Sequence, residues 1–171
     1  MDDRRFLEDL CGAPVRGFSY PFGHYNREII SLLPACGIDY ARTVNAHQQF
    51  RMPDDFLEWH PTCHHNDKIL DKIEPFLAAR SGSLFYLWGH AHEFPRNNNW
   101  EMMEEFCRQI GGNPDIWYAT NHELFVYYQA LKRLQYNVKR TLVFNPSAQP
   151  VWVKVNSHIL EIKHGTTNCS N

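Results

Sequence analysis

The order in which strand-like and helix-like segments follow each other constrains this chain more than any other feature. Short segments rich in β-branched and aromatic residues alternate with stretches whose apolar residues recur at helical spacing. The strand-like segments are 15–20, 38–44, 84–88 and 116–119, and the helical stretches begin near residues 26, 66, 98 and 121. Such alternation predicts an α/β fold with a parallel sheet covered by helices.

Only about four strand–helix units can be counted, whereas a closed α/β barrel uses about eight. We therefore predict a partial (β/α) barrel over residues 1–138 and a C-terminal β-strand extension over 139–171 packed on it. The segments 141–145, 151–155 and 158–162 support the extension because they change to the period of strands. A half barrel leaves an open strand edge. We expect that a missing N-terminal half or a partner chain such as a second copy covers this edge, or that the sheet is open instead of barrel-like.

Charge and cysteine usage exclude several classes of protein. The net charge is −2, which argues against a nucleic-acid groove or binding to an anionic membrane surface. No window approaches the length of an apolar membrane span, and the N-terminus is acidic and amphipathic, unlike a signal peptide. Five cysteines are spread along the chain without paired spacing, which indicates reduced thiols. These features predict a cytoplasmic protein.

Polar and aromatic residues gather just after the predicted strands. Parallel α/β folds carry their sites at this edge of the sheet. The segments that follow the four strands are Tyr20–Asn26, Arg42–Asn45, Gly89–Phe94 and Thr120–His122, and three of them carry histidine. Because histidine titrates near neutral pH, this concentration on one predicted face indicates a chemical site.

Two of these segments resemble motifs of the polysaccharide deacetylases, which are metal-dependent hydrolases of N-acetylated sugars. Arg16–Gly23 resembles the third motif of that family, an Arg followed by an aromatic-Pro-aromatic-Gly turn. Leu87–His90 resembles the fifth motif, and Trp59 weakly matches the aromatic wall of the fourth. The resemblance runs from about residue 3 to the C-terminal strands, so the chain looks like the C-terminal portion of such an enzyme.

The resemblance implies hydrolysis of the amide C–N bond of an N-acetylated glycan. It implies that His90 is the general acid that protonates the departing amine, a role that suits histidine because its pKa lies near working pH. It also implies that Leu87 lines the acetyl pocket. The residues expected to bind the carbohydrate are Arg16, Tyr20, Pro21, Phe22, Gly23, Trp59, Leu87 and Trp88.

Two motifs of that family do not occur in this sequence. One is the Thr-Phe-Asp-Asp-Gly motif, which supplies the base and a metal ligand, and the other is the His-x-x-x-His motif, which supplies two more ligands. The resemblance thus implies zinc, but its usual ligands are absent. Since the reaction needs a metal-bound water and a base, we expect little deacetylation by this chain alone. A non-catalytic glycan-binding module and an inactive truncated fragment are the alternatives.

A second group of potential metal ligands lies in the loop predicted at residues 45–65. Cys63, His64 and His65 are zinc-type ligands, and His60 is close in sequence. Adjacent residues do not easily bind one ion together, and Asn66, a residue type that caps helices, follows directly. We therefore predict no metal site in this chain.

The residues around His90 leave one question open. We expect His92 and Glu93 to form a solvated loop pair. A general acid of this kind is normally oriented by a carboxylate, and Asp55, Asp67 and Glu93 are all candidates. The sequence does not rank them.

Overall fold

The computed structural model describes residues 2–79 and 82–169 of the chain. The contacts divide it into two compact units, Met1–Trp117 and Tyr118–Asn171. The sequence placed a division after residue 138 instead. The difference arises because the helix Asn121–Lys132 packs against the strands that follow it, through Ala130. The assignment of 1–138 to a deacetylase-like barrel stays a prediction.

The first unit combines short helices with four short strands in its described part. Its helices are α1 (Asp2–Cys11), α2 (Arg27–Leu32), α3 (Ile73–Leu77), α4 (Glu93–Asn97) and α5 (Trp100–Ile110). Its strands are β1 (Gly17–Ser19), β2 (Tyr40–Arg42), β3 (Cys63–His64) and β4 (Leu87–Trp88). Single 3-10 turns lie at Pro21–Gly23, Pro34–Cys36, Phe56–Glu58 and Ile69–Lys72.

The four strands of the first unit run parallel and follow one another in chain order. β1 pairs with β2, with Phe18 opposite Ala41. A parallel bridge between Arg42 and Trp59 connects β2 to the segment that leads into β3, and β3 pairs in parallel with β4. Because all these segments point the same way, their carboxyl ends lie at one edge of the sheet.

Two apolar clusters hold this arrangement in place. The first joins β1, α2 and β2 and contains Tyr20, Ile30, Leu33, Ile38 and Ala41. The second joins β3 to α3 and α5 and contains Cys63, Ile69, Ile73 and Phe106. Each fully buried side chain of this size contributes about 1.5–3 kcal/mol. Because side chains alternate along a strand, burying Cys63 in the second cluster turns the neighbouring His64 to the opposite face of the sheet.

Three of the predicted elements of the first unit differ from the structure. The predicted loop at 45–65 contains β3, which the sequence hides because Pro61 cannot donate a ladder hydrogen bond and reads as a breaker. The predicted strand at 84–88 is regular only at Leu87–Trp88. The prediction of a strand at 116–119 is wrong: Trp117 and Tyr118 are exposed, so no burial holds them in a sheet.

The second unit packs one helix against antiparallel strands. Helix α6 (Asn121–Lys132) begins at a capping box, in which the Thr120 side chain accepts from the backbone of Glu123 and the Glu123 side chain accepts in return. The strands are β5 (Gln135–Tyr136), β6 (Leu142–Asn145), β7 (Val151–Val155), β8 (His158–Ile162) and β9 (Gly165–Asn168). Pairing is in the order β5-β6-β9, with β7 against β8. The three strands predicted from the sequence are confirmed, and β5 and β9 are additional.

The helices of the described chain are short. Within residues 2–79 and 82–169, none combines the length and the apolar character that crossing a bilayer requires. A cytoplasmic location stays a prediction from the sequence.

Candidate functional site

The carboxyl ends of β3 and β4 bring together a compact group of histidines around one carboxylate. His64 is the last residue of β3, and His65 continues the pairing because its backbone N–H donates to the Trp88 carbonyl over 2.9 Å. β4 ends at Trp88, and the chain then turns through His90 into α4, whose first residue is Glu93. The end of β3 thus supplies two histidines, and the segment after the neighbouring strand β4 supplies a carboxylate.

Glu93 is the centre of this group. Its Oε2 lies 2.5 Å from Nε2 of His65 and 3.1 Å from Nε2 of His64. Its Oε1 lies 3.3 Å from Nδ1 of His90 and 3.9 Å from Nη2 of Arg96. The side chain of Glu93 is only 13% exposed, so solvent screens these contacts weakly. One carboxylate therefore orients three imidazole rings.

The environment shifts the pKa of two members in the direction that favours this arrangement. Burial lowers the pKa of His64, and the neighbouring His65 lowers it further, which favours the neutral imidazole. Burial by itself raises the pKa of Glu93. The hydrogen bond to His65 and the electrostatic interactions with His64 and His65 outweigh that effect, so the pKa of Glu93 is lower than usual and the group is a carboxylate at neutral pH.

His65 is the most deeply buried member, with 1% of its side chain exposed. Its ring packs 4.5 Å from that of Phe94, and a methyl group placed on Gly89 would overlap it, so this position requires glycine. Within the described residues its Nδ1 has no hydrogen-bond partner. An unpartnered buried polar atom costs about 1–3 kcal/mol. The fold tolerates the cost of this unpartnered Nδ1 at the same residue whose Nε2 contacts the Glu93 carboxylate.

An aromatic and a cationic side chain cover the outer side of the group. The ring of Trp88 lies 4.6 Å from that of His64 in an edge-on arrangement. The guanidinium of Arg42, at the end of β2, stacks 4.7 Å from the centre of the Trp88 ring. β2, β3 and β4 therefore all contribute side chains at the same edge of the sheet.

His90, the residue expected to act as general acid, belongs to this group. Its side chain is 53% exposed, and its Nδ1 faces Glu93. Of the three carboxylates that the sequence left unranked, Glu93 is the one that contacts His90. Asp67 instead accepts from the backbone of His64 and from Gln48, and Asp55 caps the turn at Leu57.

The turn after β1 lies at the same edge, but its residues differ in accessibility. Phe22 is 92% exposed and adopts a positive φ of 55°, an unusual conformation for a bulky residue. Pro21 is exposed beside it, and Gly23 is partly buried with φ 73°. Tyr20 is buried, and its hydroxyl donates to the Leu57 carbonyl over 2.7 Å. Phe22 is thus the aromatic ring of this turn that can meet a ligand.

The other residues expected to line a groove are placed unequally. Trp59 is 1% exposed and packs at 4.9 Å from Phe56, so it presents no ring face to a ligand. Leu87 is half-buried and packs on the second apolar cluster. Arg16 lies on the amino side of β1, 3.8 Å from Asp39. A role in lining a sugar groove suits an exposed ring face, which Trp59 and Tyr20 do not have.

One expectation about the polar residues of this region is wrong, and another stays a prediction. Glu93 is not half of a solvated pair with His92, because it is largely buried among three histidines. The sequence predicts no metal site at His64 and His65 because adjacent residues seldom share one ligand; that stays a prediction, although both Nε2 atoms turn to the same oxygen. Their rings sit with centroids 4.2 Å apart, because His64 ends the strand and His65 begins the following turn. Recognising the segment after Pro61 as a strand is the signal that reveals them.

The arrangement has two chemical capacities. A half-exposed imidazole held by a buried carboxylate is suited to proton transfer. Two imidazole nitrogens and a carboxylate oxygen within 4.8 Å of one another form a donor set of the kind that binds divalent zinc. Comparisons with known protein families, curated proteins and solved structures found no match to this chain.

Proposed function

We propose that this chain is a polysaccharide deacetylase-type hydrolase that acts on the amide C–N bond of N-acetylated sugars, with His90 as its general acid, and that it is incomplete because the Asp-Asp and His-x-x-x-His motifs are absent from this sequence. The fold proposed with it is the partial (β/α) barrel over residues 1–138. The observation that carries the proposal is the 3.3 Å contact between Nδ1 of His90 and Oε1 of Glu93 at the carboxyl end of a parallel strand.

This contact prepares His90 for proton transfer to a substrate. A buried carboxylate that accepts from Nδ1 fixes the orientation of the ring. The half-exposed ring can then turn Nε2 outward. In amide hydrolysis, water adds to the carbonyl carbon, the C–N bond breaks, and the amine nitrogen takes a proton as acetate leaves. His90 supplies that proton.

Two aromatic side chains at this edge of the sheet suit a sugar. Phe22 and Trp88 offer aromatic surface, and a flat apolar ring packs well against the face of a pyranose. In the deacetylase family a divalent metal supplies the activated water. The family's usual ligands are not in this sequence, whereas His64, His65 and Glu93 are donors of a suitable type.

A glycan-binding module without turnover is the second candidate. The observation that favours it is the nearly complete exposure of Phe22, since an exposed aromatic ring costs free energy unless a partner covers it. This candidate needs the aromatic surface but does not need proton transfer by His90.

One experiment separates the two candidates. The chain is incubated with a chitin oligomer and zinc, and both oligomer binding and acetate release are measured for the parent, for His90→Ala, and for His158→Ala, at an exposed position of β8, as the matched control. Release by this chain alone is expected to be slow, because the family's metal-binding motifs are absent. We expect this zinc-dependent release to fall by about 10²–10⁴-fold in His90→Ala and to be unchanged in His158→Ala.

Each other outcome is decisive. Binding without acetate release supports the glycan-binding module and overturns the hydrolase. Release that is unaffected by His90→Ala overturns the role of His90. Neither binding nor release contradicts both candidates.

A further inference from the structure

Three ligand atoms converge at the carboxyl ends of β3 and β4. They are Nε2 of His64, Nε2 of His65 and a carboxylate oxygen of Glu93, all within 4.8 Å of one another. Both nitrogens point at the same oxygen, at 3.1 and 2.5 Å. An imidazole lone pair and a carboxylate lone pair repel each other at such separations, so something positive, a proton or a cation, must lie between them.

The surroundings favour a fixed site over a casual surface contact. The side chains of His64, His65 and Glu93 are 18%, 1% and 13% exposed, so the donors are shielded but reachable from one side. Gly89 leaves room for the His65 ring, which a larger residue would displace. The strand pairing of β3 with β4 fixes both histidines relative to α4. Rigid elements therefore position every donor.

The second carboxylate oxygen is held separately. Oε1 of Glu93 contacts His90 at 3.3 Å and Arg96 at 3.9 Å, which orients the carboxylate and leaves Oε2 directed at the two nitrogens. Contacts of this kind behind a ligand are typical of metal sites, where they fix the ligand's orientation. The histidines have no such contact: Nδ1 of His65 has no partner within the described residues, and Nδ1 of His64 accepts from the backbone N–H of Asn66 over 3.2 Å.

We propose that His64, His65 and Glu93 bind one divalent metal ion of the zinc type. Two imidazole nitrogens and one carboxylate oxygen make up a set of three protein ligands, which leaves a coordination position for a water or a substrate atom. Magnesium and calcium are disfavoured because they prefer oxygen donors. Binding displaces the protons that the cluster otherwise shares, so affinity falls as the pH is lowered. This proposal does not depend on the deacetylase proposal.

The test measures metal directly. The purified chain is dialysed against zinc, and bound zinc is quantified for the parent, His64→Ala, Glu93→Gln and His158→Ala. His158 is an exposed histidine on β8 in the other unit and serves as the matched control. We expect about one zinc per parent chain and per His158→Ala chain. The two site variants should bind at least about 10–100-fold more weakly, since even residues that only orient a ligand have effects of this size.

Cobalt replaces zinc as a spectroscopic probe. A four-coordinate cobalt site absorbs visible light strongly, whereas hydrated cobalt absorbs weakly, so the spectrum reports coordination without any enzyme assay. We expect the intense bands for the parent and their loss in both site variants. Circular dichroism checks that each variant is folded, and His64→Ala, at the less buried ligand, is the variant least at risk.

The proposal is overturned by a folded parent chain that retains no zinc on dialysis, or by zinc affinity that both site variants leave unchanged. Loss of zinc binding in His158→Ala would show that the ion sits elsewhere. Because acetate release is not measured, failure here leaves the role of His90 intact, and failure of the deacetylase assay leaves the metal site intact.

Discussion

Two fully buried polar side chains, one in each unit, differ in how completely they are hydrogen bonded. Asn145, at the end of β6, donates to the carbonyls of Gln149 and Ile162 and accepts from Ser147. His65, at the end of β3, contacts Glu93 through one nitrogen, and its other nitrogen has no partner in the described chain. Both side chains are almost inaccessible to water.

The difference separates a polar residue that supports the fold from one that supports a site. The side chain of Asn145 makes hydrogen bonds to backbone groups where strand pairing ends. These bonds offset the free-energy cost of burying its amide. His65 leaves part of that cost uncompensated, which lowers stability. Such incomplete pairing is tolerated where a group is kept available for chemistry. The first unit is therefore where ligand-linked behaviour is expected, and the second unit is expected to behave as a scaffold.

The largest predicted effect tests the scaffold side of this comparison. Replacing Asn145 with Ala removes the donor to two carbonyls and the acceptor for the backbone N–H and hydroxyl of Ser147, so we expect the free energy of unfolding to fall by about 3 kcal/mol. Urea denaturation followed by circular dichroism measures it. Gln135→Ala, at an exposed position of β5, is the control and should change stability little. A small effect of Asn145→Ala would remove the distinction between the two residues.

Gly89→Ala sharpens the site side of the comparison. The added methyl group would overlap the ring of His65, so we expect a loss of about 2 kcal/mol together with displaced imidazole resonances in NMR spectra. Gly112→Ala is the control, because Gly112 also needs glycine, for a φ of 70°, but no side chain lies near it. The control should cost stability without moving the histidine resonances. Unmoved resonances in Gly89→Ala would show that the cluster does not need this close approach.

The smallest effect concerns Tyr20, a buried polar group of the first unit that is fully satisfied. Burial, with smaller contributions from Glu58 and Asp55, raises the pKa of Tyr20 to about 12. The neutral hydroxyl therefore contributes stability that is fully present below the ordinary tyrosine pKa of about 10 and is lost as pH rises from there towards about 12.

Tyr20→Phe isolates that contribution. We expect it to lower stability by about 1 kcal/mol at neutral pH, by removing the bond to Leu57, and to flatten the loss of stability between about pH 10 and pH 12. Urea denaturation across this range, with tyrosinate absorbance as a second readout, measures both. An unchanged alkaline profile would mean that Tyr20 ionises as freely as an exposed tyrosine.

A site residue could be predicted only where the sequence immediately around it shows a recognisable pattern. His90 follows a continuous apolar run, so its position after a strand is visible in the sequence. The partner of His90 is not visible in the sequence, because Glu93 looks like an ordinary surface residue at the start of a helix. The sequence predicts a loop at His64 and His65, because the strand that ends at His64 is two residues long and follows Pro61. Neither length nor pattern distinguishes such a strand from a loop.

Local patterns thus determined three of the four strands predicted before residue 120, the antiparallel strands near the C-terminus, and the presence of His90 at a strand end, since periodicity and turn residues act over a few positions. Only the tertiary structure decided that α6 belongs with the following strands and that Glu93 meets three histidines. Those outcomes depend on which strands pair and which faces are buried, and such pairing joins residues nearly thirty positions apart, as His65 and Glu93 are.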